Sequence, residues 1–224
     1  MKVTWLGQAG LLFNLDGIRV MVDPYLSERI TKLKPNKLRR IPINETFLKI
    51  QPDILILTHD HLDHTDPDTL SQILATDKSI CVLASGNAWK RVRQFGCNHN
   101  YVLFDEGTEW TECGILFKAI HAQHSDESAV GVSIMHAGKT WYITGDTLYH
   151  KRVIQEAPQN ADGVFLPING TGNNLNMADA ERLVQEIAAK VAIPIHVGLF
   201  DDLNPHDWTC KSKLVLPVYR EMTL

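Results

Sequence analysis

The chain has 224 residues, of which 44% are hydrophobic and 21% charged, which fits a globular protein of one domain, or at most two small ones, and not a disordered or fibrous one. With 22 Lys and Arg against 26 Asp and Glu, the formal net charge of −4 argues against a general nucleic-acid binder. No apolar run reaches the roughly 18 residues a transmembrane helix needs, so no membrane association is expected, and the N-terminus lacks the pattern of a signal peptide.

In chain order, segments 2–6, 11–15 and 18–22 are short and rich in apolar or β-branched residues, with Asp16-Gly17 as a two-residue hairpin signal. The third of these strands ends in Val22-Asp23-Pro24, where proline stops the ladder and leaves Asp23 at the strand's mouth, as a turn former or as a partner for the outer nitrogen of a metal-bound histidine. Residues 26–50 form the one basic stretch of an acidic chain: Arg29, Lys32, Lys34, Lys37, Arg39, Arg40 and Lys49 stand against Glu28 and Glu45. Such a stretch is either a solvated loop or partner contact, or a lid whose cations meet an anionic substrate.

After the apolar strand Ile54-Leu55-Ile56-Leu57 comes Thr58-His59-Asp60-His61-Leu62-Asp63-His64, with three histidines and two aspartates in six consecutive positions. Imidazole and carboxylate at this density suit a borderline transition-metal ion. From an extended segment His59 and His61 point the same way, which leaves Asp63 and His64 for a second ion, with Asp60 and Leu62 as spacers. Asp66-Pro67 then opens a helix with an apolar face of Leu70, Ile73 and Leu74. A strand is expected at Ile80–Leu83, a helix capped by Ser85 and ending near Gly96, and a strand at Tyr101–Phe104 that closes a first half, roughly residues 1–110.

The second half, 111–224, repeats this grammar. Strands are expected at 115–120, 130–135 and 140–144, with Ala137-Gly138 as a turn and Gly145-Asp146 directly after the last strand. Gly163–Pro167 is a strand, Asn176 caps a helix with Ala180, Leu183, Val184, Ile187 and Ala188 on one face, and the buried strand Val191–Ile195 ends in His196. The whole reads as a single domain, 1–224, of two sheet-rich halves around one inter-sheet core. Cys81, Cys97, Cys113 and Cys210 are scattered without a close pair and read as mostly buried, reduced thiols, consistent with the cytoplasm.

Acids and histidines at the exits of these strands are Asp23, the 59–64 cluster, His121 or His124, Asp146 and His196. On one sheet rim they supply two ions: His59, His61 and one later histidine hold the first, Asp63, His64 and His196 the second, with Asp146 between. Singly, a later histidine is more often structural; together with the cluster, the ligand reading wins.

A His-x-His-x-Asp-His run after a strand, followed by a later histidine, Gly145-Asp146 and His196, resembles the metallo-β-lactamase superfamily. The stretches Trp5–Gly10, Val22–Tyr25, Leu166–Gly170 and Ile193–Gly198 are most similar to its branch of L-ascorbate-6-phosphate lactonase-like metal-dependent hydrolases. The resemblance spans essentially the whole chain and implies an α/β fold, an αββα four-layer sandwich of two sheets flanked by helices. It also implies His124, in Ala122-Gln123-His124-Ser125, as the third ligand beside His59 and His61, with His121 facing the substrate. Gln8 stands where relatives often carry a histidine, which removes one proton donor from the pocket, and the chain lacks the long terminal extensions of the sugar-phosphate lactonase itself.

The expected function is hydrolysis of a small ester-like substrate, a lactone or sugar-phosphate lactone first, by a hydroxide that two divalent ions (Zn or Mn, or else Fe) make available near neutral pH. Asp63 is the candidate proton acceptor, and His121, Asn169 and His206 are candidate oxyanion or substrate groups. The partner is thus a small-molecule, anionic substrate; a homo-oligomer is compatible with the sequence. Competing readings are a phosphodiesterase, an iron redox enzyme (disfavoured because redox members tend to carry Glu at the position of His61) and a non-catalytic metal-binding protein.

Overall fold

The computed structural model describes residues 1–96 and 98–224, so the thiol expected at Cys97 lies outside the described residues. Two mixed sheets face each other. The first has seven strands in the order β13-β1-β2-β3-β4-β5-β6, where β1 is Lys2–Gly7, β2 Gly10–Leu15, β3 Ile18–Val22, β4 Ile54–Leu57, β5 Cys81–Ala84, β6 Asn100–Leu103 and β13 Glu221–Thr223. The second has six in the order β12-β11-β10-β9-β8-β7, with β7 Glu109–Glu112, β8 Ile115–His121, β9 Val130–His136, β10 Lys139–Ile143, β11 Gly163–Pro167 and β12 Ala192–Ile195. In each sheet an antiparallel meander runs into parallel strands, β3 to β6 and β10 to β12.

The parallel strands connect through helices on the outer faces: α2 (Pro67–Ile73), α3 (Gly86–Val92), α4 (Lys151–Glu156) and α5 (Met177–Glu186), preceded in the chain by the short α1 (Arg29–Leu33). Side-chain alternation divides the first sheet between two cores. Val20, Val22, Ile54, Ile56 and Leu83 point into the inter-sheet core, whereas Met21, Leu55, Leu57 and Val82 pack outward with Leu70, Ile73 and Ala88 of the helices. Phe13 meets Phe165 of the opposite sheet edge to face at 5.3 Å between ring centres. These layers are the αββα sandwich of the metallo-β-lactamase type.

Both expected hairpin turns form, with left-handed residues at both turn positions: Asp16 and Gly17 (φ 52° and 95°), Ala137 and Gly138 (φ 49° and 73°). Asp66 caps α2 as expected, and Asn176 caps α5. The helix after Ser85 departs from expectation. It ends at Val92, short of Gly96, and the Ser85 hydroxyl makes no capping bond. Its first N–H groups are satisfied from elsewhere, Gly86 by Asp105 and Asn87 by Ser128, and Gln94 and Phe95 turn back tightly onto the carbonyls of Arg91 and Val92. Strands β7 and β13 and helices α1 and α4 were not anticipated. They are short, and β7 and β13 lie at sheet edges where only one neighbour reinforces the pattern. Among the described residues no helix is long and apolar enough to cross a membrane.

Candidate metal centre

The parallel strands of both sheets end at the same rim, where α/β sheets generally place their ligands. Asp23 follows β3, the 58–64 loop follows β4, Asp146 follows β10, Asn169 follows β11 and His196 follows β12. Two of these positions, and Gln8 just after β1, depend on unusual backbone: Gln8, Asp23 and His196 have φ of 49°, 42° and 55°. Left-handed non-glycine residues cost on the order of 1–3 kcal/mol each and cluster at functional sites. Gly145 makes room for Asp146: a Cβ there would meet the Val130 carbonyl at 2.7 Å and Thr58 Cβ at 3.4 Å.

The loop after β4 is held rigidly from behind. Asp60 forms a two-point ion pair with Arg91 on α3, and its N–H donates to Asp126 at 2.8 Å. Asp126 also accepts from Asn87, again on α3. Asp60 is therefore an anchor as well as a spacer.

Side-chain nitrogens are aimed by hydrogen bonds on their far sides. His64 Nδ1 donates to Asp23 Oδ2 at 2.8 Å, and the same carboxylate accepts from Thr58 N–H (2.8 Å) and Thr58 Oγ1 (2.6 Å). With its proton directed to Asp23, the Thr58 oxygen is left to accept from His59 Nδ1 at 3.1 Å. His124 Nδ1 donates to the Asn173 carbonyl at 3.3 Å. Each of these bonds fixes the tautomer that leaves Nε2 free.

The freed atoms converge. His59, His61 and His124 form one group whose ligand atoms all lie within 4.8 Å of one another, Asp63, His64 and His196 a second, and His59, His64 and Asp146 a third that joins them. Asp146 shares the joining group with His59 of the first set, and it meets the second set through both oxygens, with Oδ1 3.3 Å from His64 Nε2 and Oδ2 3.2 Å from His196 Nε2. Asp63 Oδ2 is 3.2 Å from His196 Nε2. His59 Nε2 and His64 Nε2 are buried without a hydrogen-bond partner, a costly state for the protein alone. Orphaned imidazole nitrogens facing carboxylates fit divalent metal ions.

Electrostatics agree. Burial, then the neighbouring His64, holds His59 well below the ordinary imidazole range, so it stands neutral, as a ligand must. Burial likewise lowers His124. His64 and His196 behave oppositely: burial opposes their charging, but Asp146 and Asp23 lift His64 well above its usual value, and Asp146 and Asp63 push His196 up to about 10. Asp63 and Asp146 are held low against burial by those same two imidazoles. Without metal, these carboxylates thus keep protons on His64 and His196, and metal binding must displace them.

Two expected participants lie elsewhere. His121, half-buried at the end of β8, bonds to Glu106 at 2.9 Å and is absent from the cluster, because strand alternation turns it away from the rim. His206 sits in an exposed turn, Pro205–Asp207, and does not line the cavity. Asn169 does line it, with Nδ2 3.1 Å from His196 Nδ1 and a buried, unpartnered Oδ1. Turning this amide over pairs Oδ1 with Nδ1–H, the tautomer that frees His196 Nε2.

Gln8 and Asn174 complete the surroundings. Asn174 Nδ2 donates to Asp146 Oδ2 at 2.9 Å; no sequence signal marks it. The Gln8 carbonyl accepts from the His196 N–H at 2.8 Å, and its side-chain amide donates to Asp63 Oδ2 at 2.8 Å. Gln8→Ala should weaken metal binding by about tenfold, the lower end for a residue that steers a ligand, while leaving the fold intact. Unchanged affinity in a metal titration would show that Asp63 needs no such guide.

Above the cluster opens a cavity of about 460 Å³ lined by His61, Asp63, Asp146 and His196 together with Lys34, Lys37 and the 169–174 loop. A larger cavity of about 960 Å³ lies between the 26–51 segment and α2, away from these ligands.

A family model for the β-lactamase superfamily domain matches residues 2–196. The chain is 30% identical over 213 residues to a UPF0173 metal-dependent hydrolase of Ligilactobacillus salivarius, covering 91% of this chain and 88% of the relative. Among solved structures, it is similar to Igni18, a metallo hydrolase of the archaeon Ignicoccus hospitalis, with a TM-score of 0.79 at 19% identity over 99% of this chain and 97% of that one. It is also similar to an isothiocyanate hydrolase from Delia radicum gut bacteria, with a TM-score of 0.76 at 20% identity over 100% and 99% of the two chains. These two likenesses concern the fold, and they agree with the sequence relationships: the chain belongs to the β-lactamase superfamily, in the UPF0173 family of metal-dependent hydrolases.

Proposed function

We propose that this chain is a binuclear hydrolase of a small ester-like substrate, a lactone or sugar-phosphate lactone first, in the L-ascorbate-6-phosphate lactonase-like branch. The observation that carries this reading is the pair of ligand triads, His59–His61–His124 and Asp63–His64–His196, joined through Asp146 at the floor of an open cavity. These residues would hold two divalent ions, Zn or Mn ahead of Fe, whose chemistry when bound would be to acidify a water near neutral pH and to polarise the substrate oxygen.

The protein's own groups do the rest. Asp63 is the ligand carboxylate most open to the cavity; Gln8 and His196 both engage its Oδ2, which leaves Oδ1 to take a proton from the nucleophile. Asn169, with its amide at the cavity wall, is placed to donate to a developing oxyanion. A cavity of about 460 Å³ suits a small molecule and not a polymer. The scattered, unpaired spacing of the cysteines suits reduced thiols and a cytoplasmic setting.

Elemental analysis of the purified protein, followed by lactone and phosphodiester panels on the same sample, tests this reading. We expect two metal ions per chain and lactone turnover that a chelator abolishes and added Zn or Mn restores. Turnover confined to phosphodiesters would replace the lactonase reading with a phosphodiesterase. Full activity after metal removal would overturn the metal centre itself.

A further inference from the structure

Resting on that hydrolase reading, we infer that the substrate carries an oxyanion, a carboxylate or a phosphate, gripped by Lys34 and Lys37 while its ester group lies over Asp63, Asp146 and His196. Both lysines line the cavity above the cluster, and Lys34 also lines the adjoining recess with His61 and Asp63.

The arginines of the 26–50 stretch are committed, and its other two lysines lie away from the cluster. Arg29 pairs with Asp68 at 2.8 Å and Arg40 with Asp202. Arg39 donates to the carbonyls of Ile41, Tyr25 and Ser27 and stacks over the Tyr25 ring at 5.1 Å. Lys32 and Lys49 line the separate, larger cavity beside Glu28 and Glu45. Among the described residues, Lys34 and Lys37 have neither an acid partner nor a side-chain hydrogen bond. Asp201, the acid of the same cavity outside the metal cluster, accepts instead from the N–H groups of Gly198 and Leu203.

Their backbone, by contrast, is pinned. Lys34 N–H donates to Ile30 O at 2.7 Å, Lys37 N–H to Lys34 O at 2.8 Å, and the Lys37 carbonyl accepts from Thr31 Oγ1 at 2.8 Å. Arg40 N–H ties the end of the segment to Leu199 O at 3.0 Å. Two uncommitted ammonium groups on a fixed turn, facing a ligand cluster across a small cavity, suit an anion; as compact point charges they accept phosphate or carboxylate without a bidentate geometry.

The test uses the metal-loaded full chain, wild type and Lys34→Ala/Lys37→Ala, with mono-4-nitrophenyl succinate as anionic ester and 4-nitrophenyl butyrate as its neutral counterpart. The double variant should lose about tenfold in kcat/KM on the anionic ester, mainly through KM, because exposed charge pairs contribute modestly; the neutral ester should be unaffected, and added salt should weaken the anionic reaction alone. Equal loss on both esters, or none on either, overturns the anion site while leaving the hydrolase reading in place. If neither ester is turned over, calorimetric titration with acetate and with methyl phosphate decides without catalysis. Weaker binding to the double variant supports the site, and the ion that shows it identifies carboxylate or phosphate. Equal affinity for both proteins overturns it.

Discussion

Asp146→Ala should abolish hydrolysis, lower the metal content and destabilise the metal-free protein. The carboxylate groups with His59 of one triad, contacts His64 Nε2 at 3.3 Å and His196 Nε2 at 3.2 Å in the other, and is itself held by Asn174. Alanine removes the anion shared by both proposed ion positions, so activity should fall by more than ~100-fold, beyond the loss typical of residues that merely support ligands. A second effect is visible without metal. His64 and His196 are buried and carry protons because Asp146 is among the carboxylates that face them. Removing one member of a buried charge group typically costs about 3–5 kcal/mol. Elemental analysis and chemical denaturation of the metal-free protein read the two effects separately. Retention of two ions per chain with full turnover would remove Asp146 from the centre.

The sequence made most of the rim legible because its candidate ligands sit where strands end, and strand ends are marked by punctuation. His59 to His64 follow four consecutive apolar residues, Asp146 follows a glycine, and His196 closes a buried run. What stayed hidden follows from physics that acts across the chain. Asn174 reaches Asp146 from a loop with no periodicity. Asp60 resembles a spacer until Arg91, 31 residues later, meets it through the turn of α3. His121 and His124 are both strand-exit histidines, and only the direction of β8 separates them: one faces Glu106, the other His61 at 3.1 Å. Both ends of α3 were equally unreadable: its first N–H groups are capped by Asp105 and Ser128 rather than by Ser85, and Gln94 and Phe95 turn back early onto the carbonyls of Arg91 and Val92. Local pattern thus located the candidate ligands, whereas their support comes from contacts distant in sequence.

Asp23 carries that support to its extreme, and its replacement should separate folding from metal binding. The side chain is 1% exposed and accepts three hydrogen bonds, two from Thr58 and one from His64 Nδ1. In Asp23→Ala, Thr58 N–H and the His64 ring lose their acceptor inside the protein, and stability should fall by about 3–5 kcal/mol. Metal affinity should drop by about 10–100-fold, because nothing then holds His64 in the tautomer that frees Nε2. Asp23→Asn tests the cause. Asparagine tolerates the φ of 42° found here, so the turn into Pro24 survives. Yet an amide has one acceptor where the carboxylate uses two, so its NH₂ must confront either Thr58 N–H or His64 Nδ1–H. The asparagine variant should therefore fold better than the alanine variant while binding metal nearly as poorly. Denaturant titration of the metal-free proteins and competitive metal titration give the two numbers. If Asp23→Asn binds metal as tightly as the wild type, the aspartate holds the loop and leaves His64 unsteered.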